Sequence, residues 1–408
     1  MNDFKQFQSS MKLLFQSKEK TDASLGLRIE HHTFSTQIKV KQITPGIMKG
    51  DLFYHEMIDG DTPENFNFTY PVVLPDKLDR SKNGLLLLHG LNEKSWDKYL
   101  AWAGKLALKM QCPVVLFPIA YHMNRAPKLW SDPRAMRNIV QERLKISKKN
   151  ESTFANAALS MRLGSNPEQF VYSGVQSYYD VWQLLQEINE GQHPLFEKLT
   201  KLDIFAYSIG AFFSQILFIS NPDKLLTHSR LFLFAGGTTF DKMVGNSRFI
   251  VDLKAFDSLL TLRHKKVLNR AYEQLSSANF KDFENTWQGF LAMLSQRKGR
   301  KTRAAVFTER GKQVYVLALQ NDKVMPIKYV VRTLKGKNNE LPTRVDVIDF
   351  PYKYTHENPF PLNNDEILPM VNRAFALVME KAIRFYTRPL TVNVNEFSPS
   401  PQMAAQLV

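Results

Sequence analysis

Cysteine is almost missing. Cys112 is the single cysteine in 408 residues, so no internal disulfide can form. That fits a reducing cytoplasm rather than the disulfide-stapled secreted classes. The thiol follows Gln111 in an apolar run, which marks it as core and not as a nucleophile. No run of about 18 apolar residues occurs, which argues against a membrane-spanning helix. The first residues lack the basic segment and apolar stretch of a secretory signal. Clusters of histidine and carboxylate at metal-ligand spacing are absent, as are glycine-rich phosphate loops and internal repeats, so no metal and no cofactor is expected. Negative charge is scarce: 39 acidic residues against 54 Lys and Arg leave a formal charge of +15. Such a surplus suits an anionic substrate, an anionic surface or solubility alone.

What is present is a stretch around which the chain is organised. Residues 202–205 form a short, β-prone apolar run. Ala206-Tyr207-Ser208-Ile209-Gly210 then turns into a segment that reads as helix as far as Ser220, where Asn221-Pro222 stops it. The pattern is small-x-Ser-x-small between strand and helix. A serine nucleophile must stand clear of a sheet edge, so the chain turns sharply and the flanking positions stay small. The helix that follows aims its first N–H groups at any negative charge formed there. On these residues the chain resembles the α/β-hydrolase superfamily, with Ala206 where the first glycine of the G-x-S-x-G form stands.

Other segments extend the pattern. Residues 85–88 are four leucines in succession, as in a strand buried on both faces. They lead into His89-Gly90. Residues 112–120, 230–237, 313–319 and 344–350 read as further strands, and amphipathic helices are expected over 95–110, 170–189, 327–334 and 364–386. This alternation implies a mostly parallel sheet flanked by helices, with ligands at the carboxyl ends of the strands. Ahead of it, residues 1–70 read as a lead-in, partly helical, with edge strands at 31–43 and 51–57. Residues 63–75 look turn-rich. The hydrolase domain spans 71–390, and 391–408 is a loose tail.

Four features fall at strand ends in the order His89-Gly90, Ser208, Asp322, His356. Ser, Asp, His is the α/β-hydrolase order. The resemblance implies that Ser208 attacks an acyl carbon, His356 takes its proton and Asp322 fixes the histidine tautomer. The competing acids are Asp346, Asp349 and Glu357. The oxyanion donors implied are the backbone N–H groups of Leu91, after the Gly90 bend, and of Ile209. His89 reads as a structural histidine of that loop; His122 and His264 lie on the insertions, where they could touch substrate, and read rather as surface or packing residues.

Two insertions, at about 121–169 and 238–310, leave the sheet on the side of these features, and a helical cap is expected from them. The second closes on Arg297-Lys-Gly-Arg-Lys-Thr-Arg303, the strongest basic cluster, read as a solvated loop or an anion-contacting edge. No aromatic residue interleaves it, which makes nucleic acid a poor partner. Arg134, Arg137, Arg143 and Arg162 lie in the first insertion. One arginine facing the pocket would favour an anionic acyl substrate; all of them facing solvent would leave an apolar lid. The function expected is a serine hydrolase cleaving a carboxylic ester of a small molecule, with thioester and amide as variants of the same chemistry. The alternatives are a non-catalytic binding protein on the same fold, or a basic nucleic-acid-associated protein.

Overall fold

A computed structural model describes residues 3–17, 21–40, 62–278 and 280–389. The strand expected at 51–57 and the tail at 391–408 lie outside these residues. Helix α1 (Phe4–Gln16) comes first, then strands β1 (Thr21–Asp22), β2 (Leu27–Ser35), β3 (Asn67–Pro75) and β4 (Ser81–Leu88). Helix α2 (Asp97–Met110) leads to β5 (Val114–Leu116), and α3 (Pro133–Ile146), α4 (Ala157–Ser165) and α5 (Glu168–Asn189) follow. Next come β6 (Phe196–Tyr207), α6 (Ile209–Ser220) and β7 (Leu231–Phe234), then α7 (Leu253–Leu260), α8 (Lys265–Ser276), α9 (Phe283–Leu294) and α10 (Arg300–Arg310). The chain continues through β8 (Val314–Leu319), α11 (Ile327–Leu334), β9 (Arg344–Ile348) and α12 (Leu368–Thr387).

The strands form one nine-stranded sheet in the order β1-β2-β3-β5-β4-β6-β7-β8-β9. Strands β1, β2 and β3 are antiparallel, and β3 meets β5 antiparallel. From β5 to β9 every pairing is parallel. This is the expected α/β-hydrolase architecture, a mostly parallel sheet with an antiparallel edge. Alternate residues serve opposite faces, as strand geometry requires. Leu86, Leu88, Ile204, Ala206, Leu231 and Leu233 pack into the core under α5 and α6. Leu85, Leu87, Phe205, Tyr207, Phe232 and Phe234 pack into the core under α1, α2 and α12. The sheet is therefore buried on both sides, which is why its central strands are continuous apolar runs.

Three strands differ from expectation. The edge strand expected at 31–43 is β2 at Leu27–Ser35, with 36–40 in no strand and 41–43 outside the described residues. Residues 67–75 are a strand and not a turn-rich segment: Phe68, Tyr70, Val72 and Leu74 alternate into one core, and this outweighs the turn signals of Pro71 and Pro75. Strand β6 begins at Phe196, before the apolar run, because its charged first half reaches the solvent-facing end of the sheet. The insertions 121–169 and 238–310 carry α3 and α4, and α7 to α10. The basic run at 297–303 is a turn entering α10 rather than a loop.

Candidate active site

Strand β6 ends at Tyr207 and α6 starts at Ile209, so Ser208 alone makes the turn. Its backbone takes φ 57°, ψ −118°, a region that costs a non-glycine residue roughly 1–3 kcal/mol. Surrounding contacts over-determine it. The Ser208 N–H donates to the Phe234 carbonyl at 3.3 Å and its own carbonyl accepts from Ala211 N at 3.0 Å. Gly210 N donates to the His89 carbonyl at 3.1 Å, so helix and neighbouring loop nearly touch. A Cβ on Gly210 would lie 2.5 Å from the Leu88 carbonyl oxygen, a clash with backbone that has no way to yield. The last small residue of the pattern is thus fixed by close approach.

The loop after β9 brings His356 to this turn. Ser208 Oγ and His356 Nε2 are 2.7 Å apart, and His356 Nδ1 lies 2.8 Å from Asp322 Oδ2. Asp322 comes from the loop after β8. Its other oxygen accepts from the N–H groups of Val324 and Met325 at 2.8 and 2.9 Å. All three side chains are buried, Ser208 being 4% exposed. The competing acids are engaged elsewhere. Asp346 pairs with Arg344 at 2.7 Å, Asp349 accepts from Asn321 and Tyr354, and Glu357 accepts from Ser247. Ser208, His356 and Asp322, 148 and 34 residues apart along the chain, therefore converge in one hydrogen-bonded line.

The loop after β4 lies beside them. Gly90 N–H donates to the Tyr99 hydroxyl at 2.9 Å, and that hydroxyl donates to Glu93 Oε1 at 2.9 Å. The Gly90 donor is therefore consumed. Among the described residues neither the Leu91 nor the Ile209 N–H donates to a protein acceptor. His89 is fully buried; its Nε2 accepts from Ile119 N at 2.9 Å, and its Nδ1 is 2.8 Å from the Gly90 carbonyl. Burial pushes its pKa down to about 3, so the ring is a neutral strut for the loop.

Three residues around this line carried no motif. Tyr207 donates its hydroxyl to the His356 carbonyl and stacks on the His356 ring at 5.6 Å. Burial, with the Glu93 charge, holds both the Tyr207 and Tyr99 phenols protonated well above their usual range. Asn92, at φ 63°, donates to the carbonyls of Ala155 at 2.9 Å and Phe249 at 2.7 Å, one in each insertion. A left-handed asparagine directly after the His-Gly-Leu bend is the one local signal that marks this link.

The arginines of the first insertion divide differently from either expectation. Arg134 and Arg137 are exposed. Arg143 is buried against Asp252 of the second insertion, with Nη2 to Oδ1 at 2.6 Å. Asp252 also accepts from Ser152 Oγ at 2.6 Å and Ala255 N at 3.0 Å. Arg162 is buried too, donating to Ser173 and Gln169 and stacking over Tyr121 at 3.9 Å. His264 is exposed. His122 is a packing residue, buried 5.2 Å from the His89 ring, and burial pushes its pKa down to about 3. Among the described residues no group of three or more His, Cys, Asp or Glu could hold a metal, and no helix is long and apolar enough to cross a membrane.

Sheet order and the serine turn define an α/β-hydrolase fold. The chain belongs to DUF6051, a family of unknown function whose model matches residues 3–387. No curated protein matches it. Among solved structures it is similar to a mutant of the esterase rPPE, at 11% identity and TM-score 0.46, over 95% of this chain and 98% of that one. A carboxyl esterase 2 from the mycorrhizal fungus Tuber melanosporum is similar at 11% identity and TM-score 0.44, over 93% and 97% of the two chains. A bacterial heroin esterase is similar at 13% identity and TM-score 0.44, over 95% and 94%.

Proposed function

We propose that this protein is a serine hydrolase that cleaves carboxylic esters of small molecules through an acyl-enzyme on Ser208. The observation that carries the reading is the buried Ser208–His356–Asp322 line, at 2.7 and 2.8 Å, hung on a strained turn between strand and helix. A structural serine has no use for such strain. Ser208 Oγ attacks the acyl carbon while its proton passes to His356 Nε2. Asp322 holds the Nδ1 proton and stabilises the imidazolium. The oxyanion forms against the N–H groups of Leu91 and Ile209, which donate to no other acceptor among the described residues. Collapse expels the alcohol, protonated by His356, and water then repeats the sequence on the acyl-enzyme.

The insertions act as a cap that excludes water and selects substrate by shape. The buried cap arginines are already engaged. Near the start of α6, Phe212 meets Phe170 and Phe240 at 6.3 and 6.4 Å between ring centres. With the cap arginines engaged and these rings packed beside the serine turn, an uncharged acyl group is the substrate class proposed. Cys112 is buried, and its thiol is pushed up to about 12, which suits a reducing compartment and excludes it as nucleophile.

The test is fluorophosphonate labelling together with turnover of neutral and anionic esters by the wild-type protein and by Ser208→Ala. The variant should keep its fold, lose the label and lose about 3 to 6 orders of magnitude in kcat. Ordinary turnover by pure Ser208→Ala would remove the assignment, and a higher kcat/KM for anionic esters would remove the neutral preference.

A further inference from the structure

The basic run entering α10 does not face open solvent on a flat surface. It forms one wall of a concavity of about 540 Å³. Lys242 closes one side, from the segment after β7. Arg297, Lys298, Arg300 and Lys301 come from the turn into α10, and Arg332 and Lys337 from the end of α11 and the loop beyond. Against these seven cations stands one lining carboxylate, Asp241. Asp241 is already occupied by Gln296 N at 2.9 Å and Thr239 Oγ1 at 2.8 Å, with Lys242 3.9 Å away. Glu340, whose field reaches Arg300, turns back onto its own loop and accepts from Asn338 N at 2.8 Å. Among the described residues, Lys242 is the one cation of this wall with an ion pair.

A second basic hollow shows how the same fold treats cations that serve structure. In a concavity of about 280 Å³, Arg230 caps the carbonyls of Phe385 and Tyr386 at the end of α12. There Arg344 and Lys381 share Asp346 at 2.7 and 3.1 Å, and Arg384 pairs with Glu380. Four of its six lining cations are thus answered by the protein, and among the described residues Lys312 and Arg388 have no ion pair. Of the seven in the larger concavity only Lys242 is so answered among the described residues, and Arg300 and Lys301, with Arg303 beside them, occupy the first turn of a helix, where the macrodipole disfavours cations. The turn is nevertheless held firmly. Arg303 is buried and donates to the carbonyls of Ala292, Ser295 and Gln296.

We infer that this concavity is a binding site for a compact polyanion, a short polyphosphate group either free or as the tail of a nucleotide. Its volume is that of a small-molecule site. Arginine forks and lysine points converging from three segments suit a ligand with several charges close together. A nucleic acid would need an extended basic track with free aromatic faces for stacking. Here the one lining ring, Tyr329, already has Lys242 and Lys328 over it at 5.4 and 4.9 Å. None of its lining residues belongs to the Ser208–His356–Asp322 line, and the inference does not depend on the hydrolase reading.

Calorimetric titration of the full chain with tripolyphosphate, ATP, adenosine and a single-stranded oligonucleotide at physiological salt tests it. Tripolyphosphate should bind saturably at one site. Equal affinity for ATP would assign recognition to the phosphates alone, whereas tighter ATP binding would add the nucleoside; adenosine alone should not bind. The variant Arg297→Gln/Arg300→Gln/Arg332→Gln should weaken tripolyphosphate by about 30-fold or more, and the control Arg344→Gln/Arg384→Gln in the smaller hollow by less than about 3-fold. Thermal melting of both variants verifies that they are folded. Absence of saturable binding, equal losses in the two variants, or preferential binding of the oligonucleotide would each overturn the inference.

Discussion

Two buried aspartates, Asp322 and Asp252, do opposite jobs with the same chemistry. Asp322 belongs to a short loop at the end of β8. It spends one oxygen on the two N–H groups that shape its own loop and the other on His356. Asp252 sits where the two insertions meet. Both its oxygens face Arg143, 109 residues earlier, and Asn150, Ser152 and Ala255 also donate to it. One carboxylate is held rigidly so that it can orient a neighbour; the other is itself the fastening. The site is built from sheet ends, where the backbone does the positioning. Where the two insertions meet, a desolvated ion pair does it. A buried pair of this kind adds little net stability over an apolar contact, yet losing one partner strands a charge.

Breaking each aspartate separately makes the contrast measurable. Asp322→Asn should lower kcat for ester hydrolysis by about 4 orders of magnitude with a nearly unchanged melting temperature, because the amide keeps the loop contacts but favours the wrong histidine tautomer. Circular dichroism melts and steady-state kinetics on one preparation decide this, and a drop below tenfold would exclude Asp322 as the orienting acid. Arg143→Met should cost about 3–5 kcal/mol through the uncompensated Asp252 charge. The loss should be read as faster hydrogen exchange in 133–165 and 253–260, with the sheet strands spared. Arg143→Met/Asp252→Leu should recover most of it, and a double variant as unstable as the single one would show that the pair contributes more than mutual neutralisation.

The same contrast explains what the sequence disclosed. The sheet was legible because strands buried on both faces must be apolar runs, as at 85–88 and 314–319. Ser208 was legible because its turn forces small neighbours, and Gly210 meets the Leu88 carbonyl. Asp322 and His356 were nominated by chain order, and their convergence depends on loops whose lengths carry no signal. The Arg143–Asp252 pair was not legible at all, since nothing local distinguishes a buried arginine from a solvated one, and Arg143 and Arg162 were both weighed as pocket or solvent groups. Strand β3 was hidden by Pro71 and Pro75, local turn signals overridden by its core alternation. The start of β6 was hidden by charges that the sheet edge tolerates.

Acid should loosen the molecule by a route that separates the two regions further. His89, His122 and His193 are all buried, and burial pushes each pKa down to about 3 from an ordinary value near 6.5. The unfolded chain therefore binds protons that the folded chain refuses. Their stabilising effect is complete above about pH 6.5 and is lost as the pH falls from there toward 3, by about 1.4 kcal/mol per histidine per pH unit. His89 and His122 support the loop beside Ser208, whereas His193 hydrogen-bonds Tyr70 on β3 at 3.0 Å. Urea midpoints at pH 7.5 and 5.5 should differ markedly in the wild type, and His193→Gln should lessen that difference by about a third. An unchanged difference would mean that His193 titrates normally in the folded protein.

The smallest expected effect falls on the seam between the regions. Asn92 follows the bend that presents the Leu91 N–H and reaches one carbonyl in each insertion, Ala155 and Phe249. It couples the loop beside the serine to both insertions. Asn92→Ala removes two hydrogen bonds, worth about 1 kcal/mol each, and leaves a Cβ residue at φ 63°, a further cost of about 1 kcal/mol. Asn92→Gly removes the same bonds but relieves the backbone. If the link acts through the cap, both variants should raise KM several-fold while kcat falls little, because the serine, histidine and aspartate keep their own supports. If the conformation of the loop matters more than its bonds, Asn92→Gly should behave like the wild type and Asn92→Ala alone should lose kcat, since the Leu91 donor would swing away from the developing oxyanion. The split between KM and kcat across the two variants decides whether Asn92 serves the cap or the loop, and equal wild-type kinetics in both would show that the seam is held without it.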